Sequence, residues 1–254
     1  MEFFVDKQSV VRKIWGKGDT VLFVFAGASA EFALNKAVDW LYFTGRLPAD
    51  PLGRLFSTVM YARLIVFSEK EAAHRAIDKI TSIHAAVEKN RNARIPDWAY
   101  RDVLFMLIHY SIASFELLER KLTDPEKQDL FDVFYRVGMR MELKGLPGNY
   151  NEWRTMHEAQ LQQDLVKSHY TVDLYKQYRK HLGVVRYKLL KESQKLVCPV
   201  TVKKLLGLGK IHWVTPLLRA YKLSGKIKMD SFLKSIIMPR AYRKQIKELD
   251  IAPS

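Results

Sequence analysis

A few side chains fall where helical apolar patterns would carry them inward and where their chemistry would matter. His84 shares a stripe with Ile80, Ile83 and Val87, and Ala85 and Ala86 follow it. An imidazole on such a stripe can act as an axial iron ligand, and small neighbours let a flat macrocycle come close. The plainer alternative is a buried ring satisfied by a backbone carbonyl. His109 lies in the middle of 103–115, the most apolar segment of the chain, and carries the same two readings. Arg54 and Thr58 stand one helical turn apart on an otherwise apolar face. An inward guanidinium needs an anion, either a carboxylate such as Glu31 or Asp50, or an anionic cofactor group such as a haem propionate. Cys198 precedes Pro199 with no histidine nearby in sequence and reads as a structural thiol. His74, His157, His169, His181 and His212 have more polar neighbours and read as surface or satisfied residues.

These residues must be positioned by helices, because apolar spacing is helical nearly throughout and strand alternation is weak. The pattern predicts helices over 20–43, 51–68, 69–88, 102–122, 124–143 and 151–169, with 103–115 as the central buried piece. Asp19 and Thr20 can accept from the first free amides of 20–43, and Pro125 sits at the first turn of 124–143. Shorter helices follow over 171–182, 184–196, 199–207, 211–223, 229–237 and 239–249. Gly183, Pro199, Gly207, Gly209 and Gly225 punctuate them. The expected fold is all-α: a single large helical domain with one core. An N-terminal arm (1–18) precedes a helical core (19–170), and a basic helical region (171–254) packs on that core.

Composition bounds the classes. Of 254 residues, 48% are hydrophobic and 12% aromatic, so the chain can bury a core and is not a disordered or fibrous sequence. A single cysteine excludes a disulfide framework and a cysteine-based zinc cluster. Phosphate-binding Gly-Lys-Ser/Thr loops, GxGxxG, GxSxG and HExxH are absent. The uncharged runs 20–30 and 103–115 are shorter than the ~20 apolar residues that span a bilayer. Segment 21–30 imitates a signal peptide, with Ala28-Ser29-Ala30 as the mimic of a cleavage site. Asp6 and Asp19 interrupt that leader, and the apolar pattern runs on to Trp40, which favours the first core helix of a cytoplasmic protein.

The net charge of +15 is uneven. Residues 1–166 hold 22 basic and 22 acidic side chains, whereas 167–254 hold 20 and 5. Such a block favours an acidic partner. Lys176, Arg179 and Lys180 share one helical side, as do Lys188, Lys191 and Lys195. That arrangement suits an anionic membrane surface, compatible with a peripheral location at the inner face of the membrane. Tyr175, Tyr178, Tyr187, Trp213, Tyr221 and Tyr242 interleave with the bases at helix-packing spacing, and no nucleic-acid motif is present, so nucleic acid is not the expected partner.

The stretch 49–87, ADPLGRLFSTVMYARLIVFSEKEAAHRAIDKITSIHAAV, resembles the catalytic domain shared by bacterial rubber oxygenases (latex-clearing proteins) and the fungal ER-bound oxygenase mpaB. The family pattern is Arg-Leu-x-x-x-Thr, then Phe-Gly, then His-x-x-Val. Arg54, Leu55, Thr58, Phe67, His84 and Val87 fill those places, with Ser68 for the glycine. Segment 102–114 is similar to the family's Trp-Val-His helix, with His109 in the histidine's place. Gly145-Leu146-Pro147 and the late Met238-Pro239-Arg240-Ala241-Tyr242-Arg243 also match. The likeness spans roughly 20–245.

The resemblance implies an all-α fold around haem b, with His84 as the iron ligand, Arg54 and Thr58 lining the haem pocket and His109 near it. It also implies O2-dependent chemistry on a hydrophobic, isoprenoid or lipid-like substrate. Rubber oxygenases carry a lysine just before the threonine, and here Ser57 takes that place. Polyisoprene cleavage is therefore not carried over, and the distal oxygen-handling residue stays open. The alternative is a non-catalytic lipid- or haem-binding helical protein at a membrane surface.

Overall fold

The computed structural model describes residues 2–209. Predicted helices 211–223, 229–237 and 239–249, and the Met238–Arg243 match, lie outside the described residues. Among the described residues eleven helices follow in order: α1 Val10–Trp15, α2 Gly18–Leu34, α3 Val38–Phe43, α4 Arg46–Ala49, α5 Pro51–Phe67, α6 Lys70–Arg91, α7 Asp97–Leu118, α8 Asp124–Arg140, α9 Tyr150–Gln163, α10 His169–Val197 and α11 Val200–Leu206. Among the described residues the extended contacts are two isolated bridges, Phe3 with Glu69 and Asn35 with Leu165. The fold is all-α.

α2 is the axis of the molecule. Thirteen of its 17 residues are buried, on every side of the helix, which is how a helix surrounded by others must read. It packs most extensively against α7 and α10. At the α2–α7 crossing, a Cβ on Gly27 would lie 2.0 Å from Tyr110 Cδ1, so only glycine allows this approach. Residues 4–15 contribute Phe4, Val5, Val11, Ile14 and Trp15 to the same core.

The predicted helix 20–43 is divided. Its pattern breaks at Asn35, which adopts extended backbone. The side chain of Asn35 explains the exit: Oδ1 accepts from the Ala37 amide at 2.8 Å, and Nδ2 donates to buried Asp102 at 2.7 Å. α7 starts at Asp97, five residues before the prediction, and α6 runs on to Arg91, where left-handed Asn92 caps it. α5 matches its prediction closely, because Asp50 accepts from the Gly53 amide and Pro51 opens the first turn. α8 begins on a reciprocal Thr123–Glu126 capping box.

Predicted helices 171–182 and 184–196 form one kinked element. Gly183, at φ 73° and ψ 172°, is the non-helical joint within α10. That conformation is nearly confined to glycine. Below the kink, Tyr178 donates to the Ser29 carbonyl at 3.3 Å, and above it Gln194 Nε2 donates to Ser29 Oγ at 3.1 Å. Both halves are thereby tied to α2.

Candidate functional site

One cluster forms where α5, the second half of α6 and the start of α7 meet. α6 begins in the core with Ala73, Ala76 and Ile77 buried, then rises out of it. Ile80, Ile83, His84 and Val87 are half-buried. Ala85 and Ala86 face solvent, so they do not furnish the small-residue surface that their position beside His84 suggested.

The end of α6 is fastened to α7 by Glu88. Its Oε1 accepts from the Ile95 amide at 2.8 Å and from the Tyr100 hydroxyl at 3.2 Å. This places the Tyr100 ring 5.1 Å from the His84 ring. Burial, followed by the nearby Glu88 carboxylate, pushes the Tyr100 phenol above its ordinary range.

His84 Nδ1 is buried and has no hydrogen-bond partner. Desolvation and then the facing Arg54 cation lower its pKa to about 4, against a smaller opposing effect of Glu88. The ring is therefore neutral near pH 7 and keeps a lone pair, the form in which imidazole binds metal. Arg54 Nη1 donates to Ser57 Oγ at 3.1 Å, and Ser57 Oγ donates to the Arg54 carbonyl at 2.8 Å. Thr58 Oγ1 donates to that same carbonyl at 3.3 Å. Ser57, Met60 and Leu64 follow one line along α5. Met60 and Leu64 are 41% and 42% exposed and leave open apolar surface further along α5, roughly 9–15 Å from Arg54 along the helix axis.

His109 belongs elsewhere. It lies nine residues beyond Tyr100 on α7, roughly 13 Å along the helix axis. Its ring stands 4.8 Å from that of His157, and it bonds to the Val197 backbone. Burial, then the neighbouring His157, lower its pKa to about 4. His157, read from sequence as a surface or satisfied residue, is buried and stacks 5.2 Å from Trp153, four residues earlier on α9.

Glu31 organises this second cluster. Its carboxyl accepts from the Tyr110 hydroxyl at 2.8 Å and from Gln160 Nε2 at 3.3 Å, with His157 Nε2 at 3.8 Å. Tyr110 also reaches Cys198 Sγ at 3.7 Å, and burial pushes that thiol up to about 12. A buried, non-ionised thiol fits the structural reading of Cys198. Glu31, considered from sequence as a partner of Arg54, is committed here instead. The sequence reading missed Glu88, Tyr100 and the Glu31–Tyr110–Gln160 network. The Trp153–His157–Leu161 spacing on an amphipathic helix was the available signal for His157.

A model of the family described as ER-bound oxygenase mpaB/B'/rubber oxygenase, catalytic domain, matches residues 12–220. The chain belongs to this family. The mpaB/rubber oxygenase match takes in both clusters and most of the described structure. It places the chain among oxygenase catalytic domains, an enzymatic family with O2 and an organic substrate as its general partners. No curated protein and no solved structure matches the chain significantly.

The residues present can be tested against a haem. Among the described residues, no group of three or more His, Cys, Asp or Glu side chains is placed to hold a metal ion. A haem needs only one axial nitrogen, an anion-binding cation and apolar surroundings. His84, with its orphaned ring nitrogen, supplies the first, Arg54 the second, and half-buried Ile80, Ile83 and Val87 the third. That donor set fits the group. A separate apolar cleft of about 50 Å³ lies between α2, α5 and α10, lined by Phe25, Leu52, Phe56, Tyr178 and Leu182. On α5, Leu52 and Phe56 point to the side opposite Arg54 and Thr58.

Proposed function

We propose that this chain is a haem b-dependent oxygenase acting with O2 on a hydrophobic, isoprenoid or lipid-like substrate. The observation that supports this most is the juxtaposition of a neutral, unpartnered His84 Nδ1 with the Arg54 cation, with half-buried Ile80, Ile83 and Val87 on the same helix as His84. His84 would hold the iron, Arg54 a propionate, and Thr58 would line the pocket. When bound, the haem supplies an iron centre able to take up O2.

The chain's own residues prepare that site. Because His84 is already neutral near pH 7, binding a metal releases no proton from it. Arg54 keeps the ring neutral by opposing its protonation. Glu88 holds Tyr100 beside the ring and fixes the wall facing α5. Met60, Leu64 and Ile83 offer apolar surface on which an alkyl or isoprenyl chain can lie while water is excluded. Ser57, hydrogen-bonded to Arg54, presents a hydroxyl where related rubber oxygenases carry lysine. A short serine hydroxyl is a weaker iron donor than a lysine amine and lacks its reach, and this favours a substrate chemistry different from polyisoprene cleavage. The basic region 171–254 would face an anionic membrane, where such substrates dissolve.

The test is the absorption spectrum of protein purified from haem-supplied cells. A Soret band that collapses in His84→Ala and returns when imidazole is added supports His84 as ligand. A band unchanged by His84→Ala refutes that assignment. Stoichiometric haem with no O2 uptake in the presence of alkene lipids would favour the haem-binding, non-catalytic alternative.

A further inference from the structure

α10 combines three features at one point. The Gly183 kink exposes two consecutive valines, Val184 at 54% and Val185 at 68%. Adjacent large apolar side chains left this open at a bend have no role in the core of this fold. Around them the helix is strongly basic, with seven Lys/Arg against two acids over its 29 residues. One acid, Glu192, is buried and paired with Lys195, and the other, Asp173, accepts from Tyr42 three turns before the kink. Arg179, Lys180 and Lys188, which flank the valines, are exposed and form no ion pair among the described residues. An apolar tip ringed by uncompensated cations matches the profile of an anionic bilayer, with anionic headgroups outside and acyl chains beneath.

We propose that the Gly183 bend is a membrane-insertion tip: Val184 and Val185 enter the acyl region of an anionic bilayer while Arg179, Lys180 and Lys188 engage the headgroups. This rests on the membrane reading above and is independent of haem. Bases close to an anionic surface each strengthen binding by about fivefold. Two valines withdrawn from water add about tenfold or more. The kink serves the geometry, because a straight helix would present these residues as a narrow stripe rather than as a protruding corner.

The experiment is flotation of the full-length protein with phosphatidylcholine vesicles with and without 30% phosphatidylglycerol. It is repeated for Val184→Ser/Val185→Ser and for Lys180→Ser/Lys188→Ser. Since all four positions are exposed, thermal melts of the variants should overlay the wild type. A second measurement places an environment-sensitive fluorophore at Val184→Cys, where buried Cys198 does not compete for label. The expected result is wild-type binding only to anionic vesicles, a loss of about tenfold or more in the valine variant and about 25-fold in the lysine variant, and a blue shift of the fluorophore on binding. Wild-type binding that survives the valine substitutions, with no blue shift, overturns the insertion tip but leaves the membrane reading standing. Failure of the wild type to bind anionic vesicles overturns both. Concentration-dependent dimerisation without vesicles, abolished by the valine substitutions, would reassign the tip to a second copy of the chain.

Discussion

Replacing Gly27 with alanine should be among the most damaging single-methyl additions to this protein. The new Cβ would lie 2.0 Å and 2.2 Å from Tyr110 Cδ1 and Cε1. Carbon atoms pack at about 3.5–4.0 Å, so ring and helix must separate by about 1.5 Å. Overpacking of this kind costs about 1–3 kcal/mol. Tyr110 cannot retreat alone, because its hydroxyl holds Glu31 at 2.8 Å in a fully buried network. Stretching that bond adds about 1–3 kcal/mol. Alanine recovers about 1 kcal/mol over glycine in a helix interior. The net loss should be about 1–5 kcal/mol, a sizeable share of the roughly 5–15 kcal/mol typical of a folded domain. Urea unfolding followed by circular dichroism measures it, and a double-mutant cycle with Tyr110→Ala identifies the cause. Gly27→Ala should be neutral or mildly stabilising once the ring is gone. A single-variant loss below about 0.5 kcal/mol, or an equal loss in both backgrounds, would refute steric closure at this crossing as the reason for glycine.

Other outcomes follow from the same structure. Burial raises Asp102 to about 7 in the fold, above its ordinary value, so the folded state holds this proton more tightly than the unfolded one. Its contribution therefore makes stability fall as pH rises from about 4 to 7, whereas His84 and His109, lowered to about 4, make stability rise over about 4 to 6.5. Asp102→Asn should accordingly steepen the gain in stability between pH 4 and 7, and an unchanged slope in urea titrations would contradict the assignment. Cys198, pushed up to about 12 and buried, should resist Ellman's reagent at pH 8 until denaturant is added; rapid labelling of the native protein would show an open thiol. Gly183→Ala should cost about 1–3 kcal/mol although a Cβ there meets nothing within 4 Å, because the whole penalty is conformational. Thr123→Ala should remove one half of a capping box and cost about 1 kcal/mol in thermal or chemical melts.

Helix existence was legible in the sequence, because three- and four-residue apolar spacing is a local property. α5 is the clear case: Asp50, Pro51 and the Leu52–Phe56–Val59 stripe all lie within the first three turns of one continuous segment. The break at Asn35 was not legible, since its cause is Asp102, 67 residues away. Likewise Arg54, Thr58 and His84 could be named from family spacing, but Tyr100 and Glu88 depend on how α6 meets α7. Glu31 shows the limit most plainly. A carboxylate in an apolar helix advertises a partner without naming it, and its partners came from α7 and α9 rather than from α5. The burial of His157 was not legible because its neighbours in sequence are polar, while its neighbours in space are Trp153, Phe105 and His109.

The central position of α2 has a consequence for the birth of the protein. α2 is translated well before α10, and the Gln194 amide that donates to Ser29 Oγ follows 165 residues later. At roughly 5–20 residues per second, ribosomes need on the order of 10–30 s to deliver that partner. Until α10 arrives, the face of α2 that α10 covers stays open on the nascent chain, even after α7 has been made. Early engagement by a trigger-factor-like holdase is therefore expected, and truncations ending before α10 should aggregate rather than fold.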